Sequence, residues 1–268
     1  MNTTNKAVIA AMLVLCAGLA CSMLRPKRPL IWHVTLEVDS SVPDREAATK
    51  QTIALIEKRL NLLGVSNFEV KNQGAGRIII NLPDVPDRLR VRNLVSTWGK
   101  LEIFALISPP SPAPVQTFST REEAVASLNN AGAIPSNREI VLYPQIDNDR
   151  AAAQKWVVVE SPAIVDGSEV RNATAVPDPA ERDNYEINFS LRNSGAEKLG
   201  AWTGAHINNY LAIVFNDAVI STVYVKSQIS DSAQINGHFR KSHAEDFALV
   251  LNSGALPAPV HFVEESDN

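Results

Sequence analysis

The sequence predicts an α+β protein in two parts, and three observations carry the prediction. Residues 31–107 hold six stretches whose apolar spacing switches between strand and helix periods in the order β-α-β-β-α-β. Four prolines among residues 108–114 then interrupt any regular pattern. After them, residues 115–255 alternate again between strand and helix spacing. The first order is that of a ferredoxin-like split sheet. The expectation is a ferredoxin-like base over residues 30–107, with residues 256–265 returning to it. A stiff linker at 108–114 leads from it to an inserted α+β head over 115–255.

Each element has a local reason. Residues 31–38 alternate Ile31, His33 and Thr35 with Trp32, Val34, Leu36 and Val38, the pattern of a half-buried strand. Residues 44–63 place Ile53, Ile56, Leu60 and Leu63 on one helical face, and Gly64 stands where a helix C-cap needs it. Two short strands follow at 68–71 and 77–82, joined by the turn Asn72-Gln-Gly-Ala-Gly76. A second helix over 86–98 is expected to bury Leu89, Val91, Leu94 and Val95 and to stop at Gly99, and residues 100–107 are expected to close the first sheet.

In the second part, Thr120-Arg-Glu-Glu123 reads as a capping box ahead of a helix. Strands are expected at 156–159, 170–176 and 185–191, and a helix over 194–208 carrying Leu199 and Trp202. Asn216-Asp217 between apolar runs predicts a two-residue hairpin joining 211–215 to 219–225. A last helix over 242–251 presents Phe247, Leu249 and Val250, and a final strand at 260–263 is placed to return to the first sheet.

Residues 7–24 form an uncharged apolar run after Lys6, about the minimum length for a membrane span and equally the shape of an export signal. Gly18-Leu-Ala20 puts small residues before Cys21, which makes Cys21 a candidate lipidated first residue. Arg25, Lys27 and Arg28 follow the run and outnumber Lys6, against the charge bias of an uncleaved anchor with an exported C-terminal domain. Cleavage at Cys21 would remove that conflict. Lipoprotein leader (a cleaved signal peptide) and uncleaved anchor both stand, and either tethers the domain outside the cytoplasm.

Composition excludes more than it assigns. A net charge of −4 argues against nucleic acid as partner. Both cysteines, Cys16 and Cys21, lie in the leader, leaving no thiol nucleophile or disulfide for the folded part. The histidines His33, His206, His238, His243 and His261 show no paired metal-ligand spacing, so no metal is expected. No G-x-S-x-G elbow occurs, Glu122-Glu123 and Glu264-Glu265 suit solvated faces, and Gly74-Ala-Gly76 lacks the third glycine of a nucleotide loop. The chain is expected to have no catalytic residues, no cofactor and no enzyme activity.

Ordered motifs then point to a family. They are Leu36-Glu-Val-Asp39, Gln51-Thr-Ile53 with Arg59-Leu-Asn-Leu-Leu-Gly64, Gln73-Gly-Ala-Gly-Arg-Ile78 with Leu82-Pro83, Lys100-Leu-Glu-Ile-Phe104, and Ser253-Gly-Ala-Leu-Pro-Ala-Pro259. Together with Ile235-Asn-Gly-His-Phe239 and the apolar run from Leu211, they resemble the first periplasmic domain of SecD, an accessory subunit of bacterial Sec protein export. Three segments depart from it: Arg28-Pro-Leu-Ile-Trp-His33 replaces a glycine-rich stretch, Ser221-Thr-Val223 a Ser-Ala-Pro segment, and Asn216-Asp217 an Asp-Gly turn.

The resemblance implies a membrane-tethered module at the outer face of the inner membrane that binds unfolded or translocating polypeptide. The Sec translocon or SecF-like membrane subunits are its expected partners. The family's later membrane helices, which conduct protons, fall beyond residue 268, so the module is expected to work without its own. The alternative is an envelope interaction lipoprotein that keeps the fold without the export role. Trp156, Trp202, Tyr210, Phe215 and Tyr224 are the candidate polypeptide-binding residues, as the large aromatics of the head, each also a natural core residue. Pro109, Pro110, Pro112, Gly254, Pro257 and Pro259 are the candidate hinge.

Overall fold

The computed structural model describes residues 29–128, 133–144 and 154–267; the apolar leader and Cys21 lie outside them. The chain forms three sheets. A four-stranded antiparallel sheet has the order β13-β1-β3-β2, from β1 (Trp32–Val38), β2 (Glu69–Gly74), β3 (Arg77–Leu82) and β13 (Val260–Asp267). On one face of it lie α1 (Arg45–Leu62) and α2 (Arg88–Ser96).

Strand alternation in β1 puts Trp32, Val34, Leu36 and Val38 on that face, where they are sealed by Ile78 and Ile80 of β3, Ile56 and Leu60 of α1, and Val91 and Val95 of α2. Asp44 starts α1 by accepting the Ala47 N–H at 3.0 Å, and Gly64, at φ +80°, ends it where a side chain would be strained. The second helix is shorter than its spacing suggests. Leu89, expected to be buried, is 58 % exposed in its first turn, because the face toward the sheet begins at Val91.

The strand expected to close the first sheet does not. β4 (Leu101–Ala105) lies instead in a six-stranded sheet of order β6-β5-β11-β10-β4-β7, and β13 takes the place beside β1. The crossing between sheets is therefore at residues 97–100, ahead of the proline segment rather than within it. Spacing could not reveal this, since an extended run is extended in either sheet. Its two-sided burial fits the observed place: Leu101 and Ile103 enter one core, Phe104 and Leu106 another.

The six-stranded sheet is completed by β5 (Arg138–Pro144), β6 (Gln154–Glu160), β7 (Val165–Asp166), β10 (Tyr210–Phe215) and β11 (Ala218–Tyr224), and α3 (Arg121–Ser127) packs against β5 and β6. It closes on itself: Leu106 bridges Val159, and the Ile107 N–H donates to the Val158 carbonyl at 2.9 Å. Phe104, Leu106, Val141, Val157, Val159, Ala212 and Val214 form one core inside the curve. Asn216 and Asp217, at φ +49° and +63°, make the tight turn between β10 and β11.

A three-stranded sheet, β12-β9-β8, consists of β8 (Val170–Pro177), β9 (Tyr185–Leu191) and β12 (Ser232–Phe239). With α4 (Asn193–Ala205) and α5 (Lys241–Ser253) it encloses a core of Ile187, Phe189, Leu199, Ile213 and Phe247.

Candidate functional site

The chain's two crossings, from the four-stranded sheet to the six-stranded one and from α5 back to the four-stranded sheet, run side by side. Leaving, the chain passes through residues 97–100; returning, it passes through 254–259. The Leu256 N–H donates to the Trp98 carbonyl at 2.8 Å, and the Trp98 indole Nε1 returns a bond to the Leu256 carbonyl at 3.0 Å. Beneath them is Arg59, 1 % exposed. Its Nε donates to Ser253 Oγ at 3.1 Å and Nη1 to the Leu94 carbonyl at 2.8 Å and to that of Thr97. Nη2 donates to the Gly254 and Trp98 carbonyls at 3.0 and 3.3 Å.

None of these partners is a carboxylate. The charge is met by carbonyls at the ends of α2 and α5, where helix dipoles are negative and carbonyls lack helical partners. Only guanidinium offers a planar fork of five donors for such a ring. Burial lowers its pKa to about 10, which leaves it charged at neutral pH. Lys58 adds bonds to the Asn252 and Ser253 carbonyls at 2.8 and 3.0 Å.

A second tie spans the same junction nearer solvent. Arg90 of α2 donates through Nε to Asp246 Oδ1 of α5 at 2.7 Å, which raises the Arg90 pKa. An open cavity of about 500 Å³ bounded by Leu62, Ala175, Ala248, Leu249 and Asn252 flanks it on one side, and one of about 180 Å³ bounded by Leu94, Phe215, Phe247 and Val250 on the other. A partly exposed pair of this kind is expected to contribute about 0.5–1 kcal/mol. In a double-mutant cycle of Arg90→Ala and Asp246→Ala, read by urea unfolding, the coupling should shrink between 50 mM and 1 M salt. A salt-independent coupling would mean that packing, not charge, joins the helices.

The five aromatics singled out in the sequence do not share one surface. Alternation along β10 sends Tyr210 and Phe215 to opposite faces. Tyr210 stands across from Tyr224, ring centroids 5.8 Å apart, with hydroxyls bonded to the Ala113 carbonyl and Asn208 Oδ1 at 2.8 and 2.6 Å. Phe215 packs on Phe247 at 4.4 Å, and Trp202 stacks on His206 at 4.3 Å while covering the same core. Trp156 is paired on both backbone edges, to Leu142 and to Phe118.

The proposed hinge residues also divide. Gly254, Pro257 and Pro259 lie on the return crossing. Pro109, Pro110 and Pro112 lie past β4, where the Ser111 N–H is bonded to the Asn208 carbonyl at 2.8 Å. Among the described residues, no three His, Cys, Asp or Glu side chains gather as metal ligands, and no helix is long and apolar enough to cross a membrane.

Two features were not read from the sequence. Arg59 had a signal: it falls on the apolar stripe of α1 beside Ile56 and Leu60, where a cation must be buried and matched. The other is a half-open apolar cleft of about 180 Å³, lined by Ile103, Phe189, Leu199, Leu211, Ile213, Val223, Ile229 and Ala233, with Ser232 and Gln234. Its floor is the buried core side chains Ile103, Phe189, Leu199, Leu211 and Ile213, and its more open rim is Val223, Ile229 and residues 232–234; these come from two sheets, a helix and a loop, so spacing within one element could not find it.

Residues 49–107 match the family model for the N-terminal part of the P1 domain of protein translocase subunit SecDF, and residues 141–258 that for the SecDF P1 head subdomain. The protein translocase subunits SecD of Koribacter versatilis and Aquifex aeolicus are each 30 % identical to it, over 82 % of this chain and 39 % and 40 % of their own length. That of Desulfurispirillum indicum is 32 % identical, over 82 % of this chain and 40 % of its own. The chain thus spans about two-fifths of the relatives it matches. Two solved structures share the fold at 23 % identity. A crystal structure of SecDF in a super-membrane-facing form gives a TM-score of 0.65 over 90 % of this chain and 31 % of that one. A structure described as a membrane component SecDF that enhances protein export gives 0.62 over 87 % and 98 %. By two family matches, at residues 49–107 and 141–258, and by relatives aligned across most of its length, the chain belongs to the SecD family, of which it carries the P1 domain with its head subdomain.

Proposed function

We propose that this chain is an extracytoplasmic SecD-like module, tethered to the inner membrane through its N-terminal segment, that assists protein translocation by holding exported polypeptide. In this reading the four-stranded sheet is a ferredoxin-like base whose last place is filled by β13, and the rest is the head. The observation that carries the proposal is the apolar cleft. Apart from Ile103, its lining falls within the residues matched to the P1 head, and none of its side chains carries a charge. Such a cleft favours apolar side chains of any sequence, as a protein that handles many exported chains requires. Its modest size suits weak, reversible contact.

In-cell photocrosslinking from Ile229 at the cleft, and from Trp202 and Tyr224, with an export substrate stalled in translocation, tests this. Crosslinks from Ile229 to the stalled chain are expected. Crosslinks only to envelope proteins unconnected with export would replace the proposal with the interaction-lipoprotein alternative.

A further inference from the structure

A second place for polypeptide lies at the junction, on the free edge of β8. Among the described residues β8 pairs with one strand, β9, while α5 runs along it, and alternate residues turn their backbone N–H and C=O away from the sheet. At Ala173 both outward groups are taken by a side chain. The Ala173 N–H donates to Asn252 Oδ1 and Asn252 Nδ2 donates to the Ala173 carbonyl, each at 2.8 Å, so the amide of α5 stands in for one residue of a neighbouring strand. Two residues on, Ala175 must present its N–H and C=O in the same direction, into the cavity of about 500 Å³. Leu62, 51 % exposed, and Leu249 face the same space from α1 and α5. A backbone donor and acceptor aimed together at a cavity walled by Leu62, Leu63, Ala248 and Leu249, with Arg90 and Glu245 also on its lining, suit an extended backbone, whose N–H and C=O match both at once.

We infer that β8 accepts a segment of exported polypeptide as an added strand, pairing at Ala175 and continuing the line that Asn252 begins. The inference rests on the polypeptide-binding proposal above but concerns a different surface from the apolar cleft. Backbone pairing supplies sequence-independent affinity, while Leu62 and Leu249 favour apolar side chains at alternate positions.

Ala175→Pro is the direct test, because proline removes the outward N–H and leaves the ladder to β9 untouched. With the full chain in lipid nanodiscs and a fluorescein-labelled, reduced and alkylated polypeptide as probe, Ala175→Pro should weaken binding about fivefold. Amide exchange of wild-type Ala175 should slow when the probe is added, a measurement that does not depend on any variant folding. If the wild type binds but Ala175→Pro binds equally and Ala175 exchange is unchanged, strand addition is overturned while the cleft proposal stands. If the wild type binds no probe, both fall.

Discussion

Replacing Arg59 with methionine is expected to cost about 4 kcal/mol of stability, the largest effect of any single side chain at the junction. Methionine keeps the apolar stem and removes every donor. The Leu94 and Thr97 carbonyls would then lose their donors in a buried space, while the Trp98 carbonyl keeps the Leu256 N–H and the Ser253 hydroxyl its bond to the Val250 carbonyl. Arg59 bonds α1 to the ends of both α2 and α5, so its loss should also uncouple the two parts of the fold. Urea unfolding of the full chain in detergent, followed by tryptophan fluorescence, should change from one transition to two. Arg59→Lys should recover less than half of the loss, since an ammonium has three donors and no planar fork.

The pH dependence has a definite sign. The folded-state pKa of about 10 lies below the ordinary arginine value, so above pH 10 the unfolded chain binds more protons and this group makes stability rise with pH. Below pH 10 it is charged in both states and contributes no slope. A cost under 1 kcal/mol for Arg59→Met would show that water, not Arg59, satisfies the crossing carbonyls.

How far the sequence could carry the fold follows from which residues speak locally. Asp44, Gly64 and Asn216-Asp217 act within a turn or two, and the elements that they bound stand where spacing puts them. β9 was readable to the residue because Tyr185, Ile187, Phe189 and Leu191 alternate against polar neighbours. β5 and β12 were not readable: β12 is Ser-Ala-Gln-Ile-Asn-Gly-His-Phe, with a glycine inside and little alternation. The sheet joined by β4 was hidden for another reason, since pairing partners are chosen over distance. The site divides the same way. Candidate aromatics could be named from composition, yet which of them share a surface depends on the face each takes in β10, β11 and α4. Asn252 gave no signal at all, because an amide near a helix end reads as solvent-exposed until a strand edge is laid against it.

Gly99→Ala is expected to cost about 3 kcal/mol, and the reason separates into two parts that can be measured apart. Gly99 lies within the crossing at φ +82°, where an alanine is strained by about 1 kcal/mol. An added Cβ would also lie 2.6 Å from Val250 Cγ1 and 3.0 Å from Arg59 Nη2. Val250 is buried and β-branched, so it cannot swing aside, and overpacking of that kind adds about 2 kcal/mol. Gly64 supplies the control: it has φ +80° and nothing within 4 Å of its added Cβ, so Gly64→Ala should show the backbone part alone. Removing the obstacle gives the other half of the test. In a Val250→Ala background, Gly99→Ala should cost only about as much as Gly64→Ala does in the wild type. If instead Gly99→Ala is as mild as Gly64→Ala from the start, the crossing can shift by several tenths of an ångström. Arg59 would then hold a junction that gives, and the parts on either side of it could shift without breaking a bond.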